Sequence, residues 1–240
     1  MFEITIPVLN EERNLRQQLE ILYHFILTEL PVYGPWRIVI ADNGSSDTTQ
    51  VIGEKLAKEY SNIKYIRLDE KGVGLALQTS WSQSQAEIVG YMDLDLATDL
   101  SHLKEALVAL SSGHDIVYAT RLHKKSIVKN RSLKRTMTSR VFNFILRKYL
   151  GVPISDGMCG FKFLKKEVYE RLCENGARSK GWFFSTELLV IAAWLKMKIY
   201  ELPVTWTDSA ESHVRIIPLA WQYLKAMRRL KQNKLLVAKP

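Results

Sequence analysis

The stretch Ile88-Val89-Gly90-Tyr91-Met92-Asp93-Leu94-Asp95 decides the fold, because an apolar run ends in two carboxylates one residue apart. This pattern is typical of a buried strand that ends at the edge of a sheet. Paired carboxylates at such an edge can hold a divalent cation against a phosphate. Asp93 and Asp95 are therefore candidate metal ligands. The alternative is a solvated strand end or a helix cap.

Outward from this stretch, short apolar runs alternate with helical patterns through the first 120 residues. The apolar runs predict strands at residues 4–9, 37–41, 63–68, 88–92 and 115–119. Apolar residues at helical spacing predict helices over residues 15–30 and 48–60, and further helices that begin near residues 75 and 100. This order predicts an α/β fold with a mostly parallel sheet and ligands outside the carboxyl ends of its strands.

Polar or glycine residues follow each of the first four predicted strands. These segments are residues 7–12, 42–47, 69–74 and 93–95. Taken singly, Asn10 and Asp47 could cap helices, Gly44 could serve a turn, and one Gly-x-Gly is a weak fingerprint. Parallel strands end at one edge, so the joint placement of these groups favours a ligand site.

The same edge argues against a dinucleotide-binding fold. The glycine-rich turn of that fold follows its first strand, where this chain has Asn10-Glu11-Glu12. The sequence also contains no Walker lysine loop. Acidic strand ends suit a nucleoside diphosphate that is held through a metal ion.

Length and composition are typical of one globular domain. The 240 residues are 47% hydrophobic, enough to bury a full core. The longest apolar segment, residues 183–195, contains Glu187 and is shorter than the roughly 20 residues of a membrane span, so it predicts a core helix. The N-terminus begins with a strand pattern, which predicts no signal peptide, and the sequence predicts no transmembrane helix. Cys159 and Cys173 are too few for a zinc site or a disulfide framework and suit a reducing compartment.

The net charge of +9 is concentrated in two segments. Residues 121–150 contain ten Lys or Arg and no acid, and residues 211–240 contain seven against Glu211 alone. Together these segments carry sixteen surplus positive charges, whereas the rest of the chain, with 17 basic and 24 acidic residues, is negative by seven. Such concentration indicates an anionic partner, which could be nucleic acid, a lipid headgroup or a phosphorylated substrate. A solvated helix face is the alternative.

Both basic segments also carry apolar residues at helical spacing, over residues 137–150 and 216–230. Cationic amphipathic helices of this kind can lie in the plane of an anionic membrane surface. The alternative is that they pack their apolar faces on the core. We expect a peripheral protein on the cytoplasmic face of a membrane.

An ordered series of motifs runs from Ile4 to about Arg229. Its members are Pro7-Val8-Leu9-Asn10-Glu11-Glu12, Ala41-Asp42-Asn43-Gly44-Ser45-Ser46-Asp47, Lys71-Gly72-Val73-Gly74-Leu75-Ala76, Met92-Asp93-Leu94-Asp95-Leu96, Ala119-Thr120-Arg121, Asp156-Gly157-Met158-Cys159-Gly160-Phe161-Lys162, Trp182-Phe183-Phe184-Ser185-Thr186-Glu187-Leu188 and Glu201-Leu202-Pro203-Val204. In this order the motifs resemble the GT-A fold glycosyltransferases of family 2 and, within them, the polyprenyl (dolichyl) phosphate hexose synthases.

The resemblance implies a Rossmann-like GT-A sheet flanked by helices, with amphipathic interface helices at the C-terminus. Residues 1–210 would form the glycosyltransferase domain, with a nucleotide-sugar half at 1–120 and an acceptor half at 121–210. Residues 211–240 would form a basic amphipathic segment.

On the donor side, the resemblance implies nucleotide-sugar contacts at Pro7, Val8, Asn10, Glu11, Asp42, Asn43, Lys71, Gly72 and Asp93. Asp93 and Asp95 would face the ribose, the diphosphate and a Mg²⁺ or Mn²⁺ ion, with Asp95 as the direct ligand. Two residues depart from the family pattern. Asn43 replaces a second acid. Ala97 stands where some members supply a further metal contact, so coordination there would come from Asp95, phosphate oxygens and water, or from nearby Asp99.

On the acceptor side, the resemblance implies a phosphate site at Arg121, Arg135 and Ser139, with Arg215 at the end of a closing loop. Asp156, Trp182 and Glu187 would line the acceptor or sugar side. Core packing is the alternative for Trp182, and a buried hydrogen bond is the alternative for Glu187.

The implied chemistry agrees with the charge pattern. A phosphate monoester has a second pKa near 6, so it is already mostly dianionic at neutral pH and needs no general base. Its repulsion from the donor diphosphate would be offset by Arg121, Arg135 and Arg215, with Asp93 and Asp95 holding the metal. The sequence therefore predicts a metal-dependent, inverting single displacement.

A run at residues 131–135, with Gly160-Phe161-Lys162 and Trp206-Thr207, is closer to the dolichyl phosphate glucosyltransferases than to the mannosyl enzymes. We therefore expect a UDP-hexose donor, glucose first, with GDP-mannose also possible, and a polyprenyl phosphate acceptor at an anionic membrane surface. The alternative enzyme transfers to a hydroxyl on a glycan, a small molecule or a protein. A nucleic-acid-binding protein would leave the aligned acids unexplained, so we expect no nucleic-acid partner.

Overall fold

The computed structural model describes residues 1–208 and 216–237, with side chains of the last helix described for residues 221–234. Its strands are β1 (Phe2–Val8), β2 (Trp36–Asp42), β3 (Ile63–Arg67), β4 (Ile88–Met92), β5 (Ile116–Thr120), β6 (Ile127–Lys129), β7 (Phe161–Lys165), β8 (Ile199–Pro203) and β9 (Thr205–Thr207). Its helices are α1 (Leu15–Glu29), α2 (Thr49–Glu59), α3 (Val73–Ser82), α4 (His102–Ser111), α5 (Leu133–Leu150), α6 (Lys166–Glu174), α7 (Phe184–Trp194) and α8 (Ile216–Val237).

Seven strands form one sheet in the order β3-β2-β1-β4-β7-β5-β8. The neighbours β2 and β4 pair parallel to β1, and β3 pairs parallel to β2. Their carboxyl ends therefore meet at one edge, which confirms the predicted mostly parallel α/β fold. β6 and β9 form a separate two-stranded parallel ribbon.

Helices cover both faces of the sheet and bury two apolar clusters. One cluster joins the strands to α1, α2 and α4, and the other joins them to α3, α5, α6, α7 and α8. α7 is buried along nearly its whole length, which confirms the core helix predicted for residues 183–195. Burial of both faces explains why the strands read as continuous apolar runs rather than as alternating ones.

β7 is the one antiparallel strand of the large sheet, and it lies between β4 and β5. Gly90 of β4 is opposite Phe163 of β7, and a Cβ on Gly90 would collide with the Phe163 ring. The pairing of Met92 with Phe161 places the start of β7 at the same edge as Asp93. A strand of the predicted acceptor half therefore lies beside the acid pair.

The two predicted amphipathic segments form α5 and α8, which pack together through the rings of Phe142 and Tyr223, 5.1 Å apart. Each helix buries one apolar face on the core and leaves other apolar residues exposed. The exposed ones are Leu133, Met137, Val141, Phe144, Ile145 and Tyr149 on α5, and Trp221 and Leu224 on α8. No helix in the described part of the chain is long and apolar enough to span a membrane.

Candidate active site

The loops after β1 and β2 are bonded to one another at the predicted donor edge. Asn10 has a φ of 56°, and its backbone N–H donates to Ser45 Oγ at 2.9 Å. The Asn10 side-chain oxygen accepts from the Ser46 N–H at 2.8 Å. Asn10 therefore joins two loops instead of capping α1, which begins after Asn14. Asp47 accepts from the Glu12 and Thr49 N–H groups, so it links the same loops at the start of α2.

Asp42 and Asn43 lie buried beneath these loops. Asp42 accepts from Ser45, from the Tyr65 hydroxyl at 2.6 Å and from Arg67 at 3.1 Å. The Asn43 amide donates to the carbonyls of Val8 and Ala41, a bond that the acid of the family pattern could not make.

The other predicted donor residues lie around the same edge. Pro7 and Glu11 are half-buried, Val8 is buried, and Lys71 is exposed. The Gly72 N–H donates to Asn43 Oδ1 at 3.1 Å, which connects the third loop to the second. The structure thus brings these residues together.

Asp93 and Asp95 follow β4 in a tight turn held by the buried Leu94. Leu96 has a φ of 49°, and the Ala97 N–H donates to Asp95 Oδ1 at 3.1 Å. Ala97 therefore orients the acid through its backbone. Asp99 Oδ1 accepts hydrogen bonds from the backbone N–H and from the hydroxyl of Ser101, so Asp99 stabilises the turn that precedes α4.

Burial raises the pKa of Asp93 to about 7, and the Asp95 charge adds to the rise, whereas Lys162 and Arg121 oppose it. Two carboxylates that repel one another fit a divalent cation, which relieves that repulsion. No group of three His, Cys, Asp or Glu side chains in the described residues could hold a metal. A metal here would therefore need phosphate or water oxygens as further ligands.

Gly160 makes room for the acid pair, because a Cβ there would collide with the Asp93 carboxylate. The buried Lys162, two residues on, donates to the Cys159 carbonyl at 2.6 Å. Burial lowers its pKa to about 8, although Cys159, Asp156 and Asp93 oppose that shift. We did not predict Lys162 as a site residue, but a lysine within the apolar run Phe161–Lys165 was a usable signal.

Arg121 and Asp156 form a bidentate ion pair at the carboxyl end of β5. Arg121 Nε donates to Asp156 Oδ2 at 2.7 Å, and Nη2 donates to Oδ1 at 2.9 Å. Burial alone would raise the pKa of Asp156, but the Arg121 charge outweighs it and holds the pKa at about 2. The structure therefore places both predicted residues in one ion pair, in which each balances the charge of the other.

Arg135 also pairs with an aspartate, but through a single nitrogen, since its Nη1 donates to both Asp208 oxygens at 2.5 Å. Ser139 is buried and accepts from Arg131 Nη2 at 2.6 Å. Sequence reasoning missed both Asp208 and Arg131. Asp208 is 73 residues from Arg135, so only the chain fold brings that pair together. Arg131 lies four residues before Arg135 and eight before Ser139, a helical spacing that was a usable signal.

Arg131 differs from the other two arginines because no described carboxylate pairs with it. Its Nε is buried without a hydrogen-bond partner among the described residues. Burial and the Arg121 charge lower its pKa to about 10. Arg121 and Arg131 lie 5.2 and 5.3 Å from the centre of the Trp206 ring, so this ring holds two like charges near each other. We define the arginine cluster as Arg121, Arg131 and Arg135.

β9 connects the arginine cluster to the acid turn. Trp206 bridges to Thr98, and the Thr207 N–H donates to the Ala97 carbonyl at 2.8 Å. Asp208, the partner of Arg135, follows directly. The acid turn and the arginine cluster therefore lie within one small region.

Two predicted residues, Trp182 and Glu187, take no part in the contacts described above. Trp182 is exposed, and Arg215 lies outside the described residues. Glu187 is fully buried and accepts from the Arg178 and Ser179 N–H groups at 3.0 and 2.8 Å. These bonds match the buried hydrogen-bond alternative for Glu187.

Solved structures share this fold. Glucosyl-3-phosphoglycerate synthase from Mycobacterium tuberculosis in complex with UDP aligns with a TM-score of 0.69 and 16% identity over 96% of this chain and 79% of that one. The same enzyme in complex with Mn²⁺, UDP-glucose and phosphoglyceric acid aligns with a TM-score of 0.66 and 16% identity over 97% of this chain and 79% of that one.

Curated relatives match along most of the chain. Glycosyltransferase AglD of Haloferax volcanii is 29% identical over 89% of this chain but only 34% of its own length. Dolichyl-phosphate beta-glucosyltransferase ALG5A of Trichomonas vaginalis is 30% identical over 89% of this chain and 68% of its own, and the human dolichyl-phosphate beta-glucosyltransferase is 27% identical over 92% and 71%. The chain therefore spans about a third to two thirds of these relatives.

The family model described as "Glycosyl transferase family 2" matches residues 3–173, which include the donor edge, the acid turn and the arginine cluster. This match covers well over half of the sequence and the fold agrees with it, so the chain belongs to glycosyl transferase family 2.

Proposed function

We propose that the chain transfers a hexose, glucose first, from a UDP-sugar to a polyprenyl phosphate at the cytoplasmic surface of a membrane. The observation that carries the proposal is the placement of the Asp93 and Asp95 turn beside the arginine cluster. One group suits a metal-bound diphosphate, and the other suits a second anion. β9 contacts the acid turn and leads directly to Asp208, the partner of Arg135, so it links the two groups.

The relatives and the edge of the sheet support a UDP-glucose donor. Two relatives are dolichyl-phosphate beta-glucosyltransferases, and the structural neighbour was crystallised with UDP-glucose. The bonded loops after β1 and β2 would hold the nucleoside. GDP-mannose is the competing donor.

The reaction would be a direct displacement. An oxygen of the acceptor phosphate attacks the anomeric carbon of the sugar, and the bond from that carbon to the β-phosphate oxygen breaks. The bonding electrons leave with UDP, and the configuration at the carbon inverts. No proton moves, so a phosphate nucleophile needs no general base.

The arginine cluster would orient the acceptor phosphate and offset its repulsion from the donor. Arg121 and Arg135 are fixed by Asp156 and Asp208, so their positions need no reorganisation when the anion arrives. Asp95, with Asp93 beside it, would hold Mg²⁺ or Mn²⁺. When bound, the metal would neutralise the charge of the departing diphosphate.

The outer surface of α5 would lie on the membrane. Its exposed apolar residues alternate with Lys134, Arg140, Arg147 and Lys148, all of them exposed. A surface with both features binds anionic headgroups and the acyl boundary together. The lipid acceptor would then reach the arginine cluster from the side on which α5 lies.

The test is a panel of UDP-glucose, UDP-galactose and GDP-mannose with a short polyprenyl phosphate, each with and without Mn²⁺. We expect metal-dependent glucosyl transfer and a product of inverted anomeric configuration. A retained configuration or a covalent glycosyl-enzyme would contradict the mechanism.

Two further outcomes separate the alternatives. Hydrolysis of the nucleotide sugar without transfer to the lipid would favour a hydroxyl acceptor. Binding of nucleic acid in a mobility shift, with no binding of any nucleotide sugar, would contradict the proposal as a whole.

A further inference from the structure

The segment of residues 178–181, between α6 and α7, lies between the C-terminal helix α8 and the loop of residues 69–74. We call residues 178–181 the strap and residues 69–74 the donor loop. The strap bonds to both neighbours, so it connects α8 to the predicted nucleotide-sugar edge.

On one side, the strap is held by a buried carboxylate and a guanidinium. Glu187 accepts from the backbone N–H groups of Arg178 and Ser179. Arg229 of α8 donates to Glu187 and also to Ser179 Oγ at 2.7 Å. Glu187 is fully buried, so loss of Arg229 would leave an uncompensated buried charge directly behind the strap.

On the other side, the strap contacts the donor loop through its backbone. The Lys180 carbonyl accepts from the Leu75 N–H at 2.9 Å, and Lys180 Nζ lies 2.7 Å from Glu70 Oε2. A Cβ on Gly72 would collide with the Lys180 carbonyl, and one on Gly74 would collide with the Ser179 carbonyl. With no space between the two backbones, a shift of the strap must displace the donor loop.

The donor loop in turn reaches the buried base of the edge, since the Gly72 N–H donates to Asn43 Oδ1. A continuous series of bonds therefore runs from Arg229 through Glu187, the strap and Gly72 to the end of β2. No described hydrogen bond or ion pair joins Arg229, Glu187 or the strap directly to an arginine of the cluster.

We propose that Glu187 and Arg229 are positioning residues that set the donor loop for nucleotide binding by fixing the strap. The inference rests on the proposed function, because it takes the donor loop to contact the nucleotide sugar. It assigns α8 a second task on its inner face. The residues act on the donor and leave the acceptor site unaffected.

The test measures UDP affinity by titration calorimetry with Mn²⁺ and the KM for each substrate. For Arg229→Ala we expect UDP binding to weaken about tenfold and the nucleotide-sugar KM to rise in parallel. The KM for polyprenyl phosphate should stay unchanged. Arg228→Ala is the matched control, because it removes the same charge from an exposed position on the same helix.

Arg229→Ala should remain folded, since the buried Tyr223, Met227 and Leu230 keep α8 on the core. Arg229→Lys should recover part of the UDP affinity. Glu187→Gln should weaken UDP binding, and combining it with Arg229→Ala should cost less than the sum of the two changes.

Equal UDP affinity in Arg229→Ala and Arg228→Ala would overturn the inference, as would an equal rise in the KM of both substrates. Failure of the proposed function is distinguishable, because the wild-type chain itself would then bind no UDP.

Discussion

Three arginines and two aspartates share one small volume around Trp206, and their charges do not cancel. Asp156 neutralises Arg121, and Asp208 neutralises Arg135. No described carboxylate pairs with Arg131, so it carries the surplus charge of the described cluster, and burial and the Arg121 charge lower its pKa to about 10. An arriving phosphate would supply the missing negative charge.

Replacing Arg131 should therefore impair acceptor binding. We expect Arg131→Ala to raise the KM for polyprenyl phosphate about 10- to 100-fold, the loss of one charge-assisted hydrogen bond or more. Steady-state kinetics with varied acceptor would measure it. Lys104→Ala, which removes an exposed positive charge from α4, is the control. Equal KM values for the two variants would contradict this role.

Asp95 offers a test of the metal. We expect Asp95→Ala to reduce transfer more than about 100-fold at saturating Mn²⁺, because the ion loses its main protein ligand. Asp99→Ala, in the same loop, should remove only the hydrogen bonds that Asp99 accepts from Ser101 before α4, and most of the transfer activity should remain. Preserved activity in Asp95→Ala, measured as lipid-linked product, would show that the acid pair has another role.

At single positions, the sequence predicts function where a residue type is rare in its setting. Asp93 and Asp95 stand out because acids directly follow an apolar run. Asp42 and Asn43 stand out equally, yet their side chains are hydrogen-bonded within the protein, which only the three-dimensional structure reveals. Arg131 is hidden among nine other basic residues of its segment, and only the tertiary contacts show that no described carboxylate pairs with it.

Among the elements, α5 combines a buried face with an exposed cationic and apolar one. The buried face contains Leu146 and Leu150, which pack in the core. The second has no partner among the described residues and suits a membrane surface.

A pair of matched valines tests this surface. Val141 on α5 is 53% exposed and Val51 on α2 is 65% exposed. We expect Val141→Asp to weaken binding to anionic liposomes roughly tenfold, since it removes an apolar contact and adds a repelled charge. Val51→Asp should have no effect. Cosedimentation at low salt would measure both, and equal binding by the two variants would contradict a membrane role for α5.

Element type and order follow well from periodicity, because buried strands and amphipathic helices leave different patterns. The direction of β7 does not. Its pairing depends on Gly90 accommodating the Phe163 ring, and such a contact between distant segments leaves no periodic signal in either one.

For the whole molecule, the Arg121 and Asp156 pair links the site to stability. The pKa of Asp156 is about 2 in the folded chain, below its usual value of 3.8. Its stabilising contribution is therefore fully present above about pH 4 and is lost as the pH falls toward 2. This contribution is roughly 2 kcal/mol.

Urea denaturation between pH 5 and pH 2 would measure the effect. The free energy of unfolding of Asp156→Asn should be lower at pH 5 and should depend less on pH than that of the wild type. Asp69→Asn, at an exposed acid, should keep the wild-type slope. Parallel pH profiles for the wild type and Asp156→Asn would exclude this linkage.

The reversed direction of β7 has a consequence for how such a protein can diversify. Residues 121–160 leave the sheet after Thr120 and rejoin it at Phe161, on the same edge. The segment is therefore attached to the sheet at two neighbouring strand ends, the end of β5 and the start of β7. An exchange of this segment would leave the pairing of β1, β2 and β4 unchanged, but it would have to preserve the core packing of Leu146 and Leu150 and the pairing of β6 with β9. Under the proposed function, such an exchange would change the acceptor site and leave the donor edge in place.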